Sequence, residues 1–139
     1  MTTRIVSNPA RVLAFINQHT KLSASAHMKG LGLERDGRLV AGVIYEGING
    51  YNAWMHVAAE PGARWMTREY LRACFDYPFN QLNLRRVSGY VSASNTQARR
   101  FDEHLGFKPE AVLKGAAPDG GDVILYVMWR EECRYVDPL

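Results

Sequence analysis

Two hairpin signals in the first half of the chain constrain the fold more than any other feature. The dipeptides Asp36-Gly37 and Asn49-Gly50 favour the positive φ angles of tight hairpin turns. They separate three β-prone segments at about 30–35, 38–46 and 54–58. The sequence therefore predicts three consecutive strands joined as hairpins.

The remaining elements follow from helix caps and short apolar runs. The third strand leads through a Glu-Pro-Gly turn straight into an amphipathic helix at about 65–80. Asn8 before Pro9 predicts the start of an earlier helix, and Asn95 and Gly106 bound another over residues 96–104. Further strands are expected at about 87–91, 107–113 and 122–129. The order α, β, β, β, α, β, α, β, β indicates a single domain over residues 1–139, a mixed sheet with helices packed on it.

The composition excludes several classes of protein. The chain has 139 residues, of which 47% are hydrophobic and 22% charged, as in an ordinary globular domain. Its longest apolar runs, such as Val123 to Trp129, are far shorter than the ~20 residues that cross a bilayer. We therefore expect a soluble, cytoplasmic protein with no membrane partner, whose two cysteines, Cys74 and Cys133, are reduced. The net charge of +3, carried mainly by arginine, suits an anionic small molecule as well as a nucleic acid.

Several reaction classes lose support because their motifs are missing. The chain contains neither a P-loop nor a G-x-G-x-x-G sequence, so nucleotide hydrolysis and hydride transfer are not indicated. It contains no G-x-S-x-G elbow, which argues against a covalent acyl-enzyme. The four histidines show no metal-ligand spacing, so no metal is expected.

The turn between the third strand and the next helix is the first candidate binding site. A strand, a Gly-containing turn and a helix together aim unpaired backbone N–H groups and a positive helix end at an anion. Here the turn comprises Glu60 to Trp65, with Arg68 one helical turn further on. A pyrophosphate group fits such a turn. The alternative, to which we give equal weight, is that the glycine serves only the backbone conformation of the turn.

The second half of the chain carries a family resemblance. Residues 95–107, NTQARRFDEHLGF, resemble the N-x-x-[AS]-x-x-x-x-x-x-L-G-F signature of the GNAT superfamily of acyl-CoA-dependent N-acetyltransferases. Residues 77–87 and 108–132 are similar to the corresponding parts of the branch that contains the ribosomal-protein alanine acetyltransferases. The resemblance covers roughly residues 30–132, and small proteins with this ending are similar to ones encoded in phages and prophages.

The resemblance implies a fold, a reaction and a set of cofactor contacts. The fold would be α/β and GNAT-like, with a mixed, mostly antiparallel sheet of six to seven strands and helices on both faces. The reaction would transfer an acetyl group from acetyl-CoA, the co-substrate, to a primary amine of a small molecule or a protein by direct attack in a ternary complex. A homodimer is compatible with it, and nucleic acid is the less favoured partner. The residues that it assigns to the cofactor are Val57, Ala58, Ala59, Gly62, Ala63, Arg64, Trp65, Met66, Arg68, Asn95 and Arg99.

Two positions depart from the family pattern. Trp65 stands where relatives have the last glycine of the phosphate-binding turn. Asp102 occupies the slot of a tyrosine that, in many relatives, acts as general acid toward the leaving thiolate. A carboxylate is a poor proton donor at neutral pH unless its pKa is raised. These departures favour an alternative hypothesis, a catalytically degenerate GNAT-fold module that contacts protein or nucleic acid.

The general base is expected on the strand before the turn. Two-residue alternation places Trp54, His56 and Ala58 on one face of that strand. His56 is the first candidate base, directly or through water, and Glu46 on the preceding strand is the second. A packed core histidine and a solvated strand end are the structural alternatives. Substrate loops are expected at residues 19–29 and 47–52.

Overall fold

The described part of the chain contains seven strands and three α-helices. The computed structural model describes residues 2–19 and 28–137, so most of the predicted substrate loop at 19–29 lies outside the described residues. The strands are β1 (Thr3–Val6), β2 (Lys29–Arg35), β3 (Arg38–Glu46), β4 (Asn52–Ala59), β5 (Arg86–Ser92), β6 (Lys108–Leu113) and β7 (Val123–Trp129). The helices are α1 (Pro9–Ile16), α2 (Arg68–Asp76) and α3 (Thr96–Leu105). Within these described ranges, no helix has the length and apolar character needed to span a membrane.

The strands form one sheet in the order β1-β2-β3-β4-β5-β7-β6. All neighbouring strands are antiparallel except β4 and β5. That parallel pair is joined only at Asn52–Trp54, opposite Arg86–Ser88. Further along, β4 continues to pair with β3 and β5 with β7, so the sheet has an opening between the two strands.

The helices cover the two faces of the sheet. On one face α1 packs on β2, β3 and β4, with a core of Val12, Phe15, Ile16, Leu39 and Ile44. On the other face, side chains of α2 and α3 join a larger core. Among its fully buried members are Tyr45, Tyr70, Phe75, Phe79 and Tyr126. The helices on both faces and the mostly antiparallel sheet agree with the expected architecture.

Two helix caps hold as predicted. The Asn8 side chain accepts a hydrogen bond from Arg11 N at 3.1 Å, which satisfies a donor at the start of α1. Asn95 does the same for Ala98 N at 3.1 Å in α3. Gly106, with φ of +115°, ends α3 in the left-handed conformation that favours glycine.

Two predictions about the elements need correction. Strand β1 was not predicted: it is four residues long and half of it is exposed, so it has little apolar pattern of its own. The helix expected from residue 65 begins at Arg68, because Thr67 is its N-cap and accepts a hydrogen bond from Tyr70 N at 3.2 Å. It ends at Asp76 and is followed by a π-helical turn, Tyr77–Gln81, which contains Pro78.

Close approach of α1 to the sheet depends on glycine. Gly42 on β3 pairs with Gly32 on β2, and both lie under α1. A Cβ atom on Gly42 would stand 2.9 Å from a methyl carbon of Val12 and 3.4 Å from the ring of Phe15. We therefore expect Gly42→Ala to lower the free energy of unfolding by about 1–3 kcal/mol, measured by urea denaturation. Gly89→Ala is the matched control, because its nearest contact would be an ordinary 3.8 Å, and equal midpoints for both variants would contradict the prediction.

Candidate functional site

His56 and Glu46 meet at the edge of the opening between β4 and β5. The His56 Nε2 atom lies 2.7 Å from Glu46 Oε1. The two side chains are 11% and 22% exposed, so the pair is neither sealed in the core nor fully solvated. The neighbours of this pair in the sheet are Ile44, opposite His56, and Trp54, opposite Glu46. The two candidate bases of the sequence analysis are therefore brought together as one hydrogen-bonded unit.

Two aromatic side chains, Tyr90 and Trp54, lie near His56. The Tyr90 ring on β5 lies edge-on to the His56 ring, with centroids 5.3 Å apart. It also lies edge-on to the Trp54 indole at 5.9 Å. Tyr90 remains 48% exposed. Partial burial raises the pKa of Tyr90, and the charge of Glu46 raises it further. No sequence signal singles out Tyr90, because its partners lie on another strand.

The turn after β4 provides unpaired backbone donors. Gly62 has φ of +78°, and Ala63 N donates to Glu60 O at 3.1 Å, which closes the turn. Among the described residues, no acceptor is found for the backbone N–H groups of Arg64, Trp65, Met66, Arg68 and Glu69. The side chains of Arg64, in the turn, and of Arg68, at the start of α2, are both exposed. Free N–H groups, a helix N-terminus and guanidinium groups are the features by which proteins commonly bind phosphate.

The Trp65 side chain points away from this turn. Only 6% of Trp65 is exposed, and its ring packs on Phe101 of α3 at 5.0 Å and on Tyr70 of α2 at 6.2 Å between centroids. The indole therefore leaves the turn clear, and Trp65 can offer a ligand its backbone N–H.

A groove lies beside the same turn. Its volume is about 810 Å³, and it runs from the β2–β3 hairpin to Gly62, Ala63 and Arg64. Arg35 donates to the carbonyl oxygen of Arg64 across it, and Arg38 forms an ion pair with Glu60. This groove adjoins the phosphate-type turn but does not include His56 or Glu46. The two candidate bases lie instead at the opening between β4 and β5.

Comparisons with known proteins bear on the fold. No protein-family model matches the sequence, and no curated protein matches it. Solved structures do match. A point mutant of the spermidine N-acetyltransferase SpeG from Vibrio cholerae has a TM-score of 0.77 at 17% identity, covering 97% of this chain and 96% of that chain. The dodecameric form of the same enzyme gives 0.74 at 18% identity, covering 93% and 94%. This chain has an N-acetyltransferase fold.

The N-acetyltransferase fold places the remaining predicted cofactor residues on two sides of the opening. Val57, Ala58 and Ala59 lie on the part of β4 beyond its pairing with β5. Across the opening, the Asn95 side chain caps α3. The Arg99 guanidinium donates to Ala93 O at 3.2 Å and to the Tyr126 hydroxyl at 3.4 Å. Asn95 therefore stabilises the start of α3, and Arg99 ties α3 to the chain just after β5 and to β7.

The pKa of the Asp102 carboxyl group differs from that of an ordinary aspartate. Asp102 shares the inward-facing side of α3 with Ala98 and Leu105, and no hydrogen bond or ion pair joins its carboxyl group to another described residue. Burial, with a smaller effect from the charge of Glu103, raises the pKa of Asp102 to about 7. The carboxyl group therefore keeps its proton to a pH close to neutrality, far above the range of an ordinary aspartate.

Within residues 2–19 and 28–137, no three His, Cys, Asp or Glu side chains are arranged to hold a metal ion.

Cys74 and Cys133 are both buried free thiols, as expected for reduced cysteines. Burial raises the pKa of Cys74 to about 12, so this thiol is protonated and unreactive at neutral pH.

Proposed function

We propose that this protein transfers an acetyl group from acetyl-CoA to a primary amine by direct attack in a ternary complex. The observation that carries this proposal is the His56–Glu46 pair, which stands where the strands β4 and β5 separate. A donor-rich turn at the far end of β4 supports it, and so does the similarity to solved spermidine N-acetyltransferases.

The residues around the opening fit the two ends of acetyl-CoA. The phosphates would be held by Arg64, Arg68 and the free N–H groups of the turn, and the pantetheine arm would lie along Val57, Ala58 and Ala59. Acetyl-CoA supplies the thioester carbonyl carbon that the amine attacks. The hypothesis of a degenerate binding module loses one of its reasons, because the Trp65 ring lies in the core and does not block the turn.

His56 and Glu46 would manage the proton of the amine. With Nε2–H donating to the Glu46 carboxylate, His56 Nδ1 is the acceptor that takes up the amine proton as the new C–N bond forms. Glu46 fixes the orientation of the ring and stabilises the imidazolium that results. Asp102, as a protonated carboxyl group, would return a proton to the thiolate released when the C–S bond breaks.

The resemblance to the ribosomal-protein alanine acetyltransferases extends the proposed acceptors to amino termini of proteins, and that to phage-encoded proteins suggests a phage or prophage source. A structurally similar spermidine N-acetyltransferase forms a dodecamer. We therefore include self-association in this proposal, with a homodimer as its simplest form.

Acetyl-CoA binding tests the proposal directly. At about a hundredfold over its dissociation constant, acetyl-CoA should raise the free energy of unfolding by about 2.7 kcal/mol, seen as a melting shift of several degrees. The double variant Arg64→Ala, Arg68→Ala should lose most of that shift, because it removes both guanidinium groups from the turn. Arg72→Ala is the control: it lies on the same helix but pairs with Asp137 at 3.0 Å, and its shift should equal that of the wild type. Absence of a shift with any acyl-CoA would refute the proposed function.

A further inference from the structure

The side of the sheet that carries α1 continues as an apolar bed beyond His56. Helix α1 packs on β2, β3 and β4, and α2 and α3 belong to the opposite face. On the α1 side, Trp54 and Tyr90 are followed by Leu125, the register partner of Tyr90 on β7. Tyr90 is 48% exposed, and Trp54 and Leu125 are partly exposed. We call Trp54, Tyr90 and Leu125 the aromatic bed.

The charge beside this bed is small. Glu46 is the carboxylate next to it, through His56. Further along the same face, Arg86 pairs with Glu110 through two contacts of 2.6 and 2.9 Å, so these two charges largely cancel. A ligand with one positive charge therefore matches this site better than one with several.

The chemistry of the bed points to an apolar ligand body. Aromatic faces attract a cation through their quadrupole and bury hydrocarbon at a gain of about 25 cal/mol per Å². Further along this face the Glu110 carboxylate is already paired with Arg86, so a second or third ammonium group would have to compete with that guanidinium for it. The small negative charge and the apolar surface thus both favour a ligand with one positive charge and an apolar body.

We propose that the acceptor is a small primary amine with a single positive charge on an aromatic or apolar body, its nitrogen at the His56–Glu46 pair and its body on Trp54, Tyr90 and Leu125. This inference rests on the proposed acetyl transfer and specifies its substrate class.

Acceptor competition tests the substrate class. We would measure kcat/KM with acetyl-CoA for 2-phenylethylamine, methylamine, spermidine and a peptide that begins with alanine. The expected value for 2-phenylethylamine is about tenfold or more above each of the others, which corresponds to about 1.4 kcal/mol. A preference for spermidine or for the peptide would overturn this proposal while leaving acetyl transfer to an amine intact.

Substitutions at Tyr90 separate a role of the ring from general damage. Tyr90→Phe keeps the ring, so kcat/KM for 2-phenylethylamine should stay within about threefold of the wild type. Tyr90→Ala should raise KM for 2-phenylethylamine by about tenfold, with a much smaller effect on methylamine, which cannot reach the ring. Equal losses for both amines would indicate a structural role and contradict the proposal.

A binding measurement needs no turnover. Titration with 2-phenylethylamine in the absence of an acyl donor should change the tryptophan fluorescence saturably, and Tyr90→Ala should weaken this binding. If the amine binds but none of the four acceptors is acetylated, the proposed function fails and the ligand class of the bed stands. Without a saturable change, the aromatic bed is not the binding surface.

Discussion

Replacing His56 with glutamine is expected to lower kcat for acetyl transfer by about a hundredfold, since a positioned general base contributes typically ~10²–10⁴-fold. The glutamine side chain can still donate to Glu46, which accepts from His56 at 2.7 Å in the wild type, but it cannot take up the proton of the amine. His56 lies outside the turn that would hold the phosphates, so the melting shift with acetyl-CoA should be unchanged. The measurements are kcat and KM for the acceptor together with that shift.

Two further variants check the assignment. Glu46→Gln leaves the imidazole in place, so we expect a smaller loss of kcat than for His56→Gln. His56→Ala leaves space for added imidazole, which should restore part of the activity if the ring acts as the base. A wild-type kcat in His56→Gln would exclude His56 from proton transfer.

Replacing Asp102 with asparagine is expected to stabilise the protein, and more so as the pH rises. The ordinary pKa of an aspartate is 3.8, whereas burial raises the pKa of Asp102 to about 7 in the folded state. Below about pH 4 the carboxyl group is protonated in both states, so its ionisation costs folding nothing. Between about pH 4 and pH 7 the unfolded chain releases the proton first, and folding becomes progressively less favourable. Above this range the folded state carries the full penalty, which asparagine removes.

The size of this effect follows from the shift in pKa. Conversion at 1.36 kcal/mol per pH unit sets an upper limit of about 4 kcal/mol, and solvent screening at a partly exposed carboxylate reduces the expected gain to about 2 kcal/mol. Urea denaturation at about pH 4 and pH 8 measures it. Asp76→Asn is the control with the opposite sign: hydrogen bonds from Asn80 and Gln81 lower the pKa of Asp76, so its loss should destabilise the protein at neutral pH. The same change in stability for Asp102→Asn at both pH values would contradict the raised pKa.

Most of the fold could be predicted because its signals are local. The turn dipeptides, the asparagine caps and Gly106 fixed the elements from β2 to β7, and their predicted bounds agree within a few residues. Strand β1 lacked such a signal, since its stability comes from long-range partners: it pairs with β2, and Arg4 lies 3.0 Å from Glu34. The start of α2 was misjudged because the apolar spacing extends to Trp65, although Thr67 is the residue that caps the helix.

Residues of the candidate site could be predicted only where the residue type and the two-residue alternation of a strand both pointed to them. His56 and Glu46 could be named from residue type and strand position, and their 2.7 Å contact follows from a register that places Glu46 opposite Trp54 and His56 opposite Ile44. The place of Tyr90 could not be predicted, because it depends on the parallel pairing of β4 with β5 across more than thirty intervening residues. The raised pKa of Asp102 likewise depends on burial, which residue type alone does not indicate.

The inward position of the Trp65 ring affects the entropy that is lost when a ligand binds at the turn. An indole wedged between Phe101 and Tyr70 ties the backbone on either side of it to the hydrophobic interior. The amide groups of residues 64–66 are therefore already ordered before any anion arrives, so less conformational entropy is lost on association. A flexible glycine at this position would have to be immobilised by the ligand itself, whereas here the cost of ordering the segment is met once, when the chain folds.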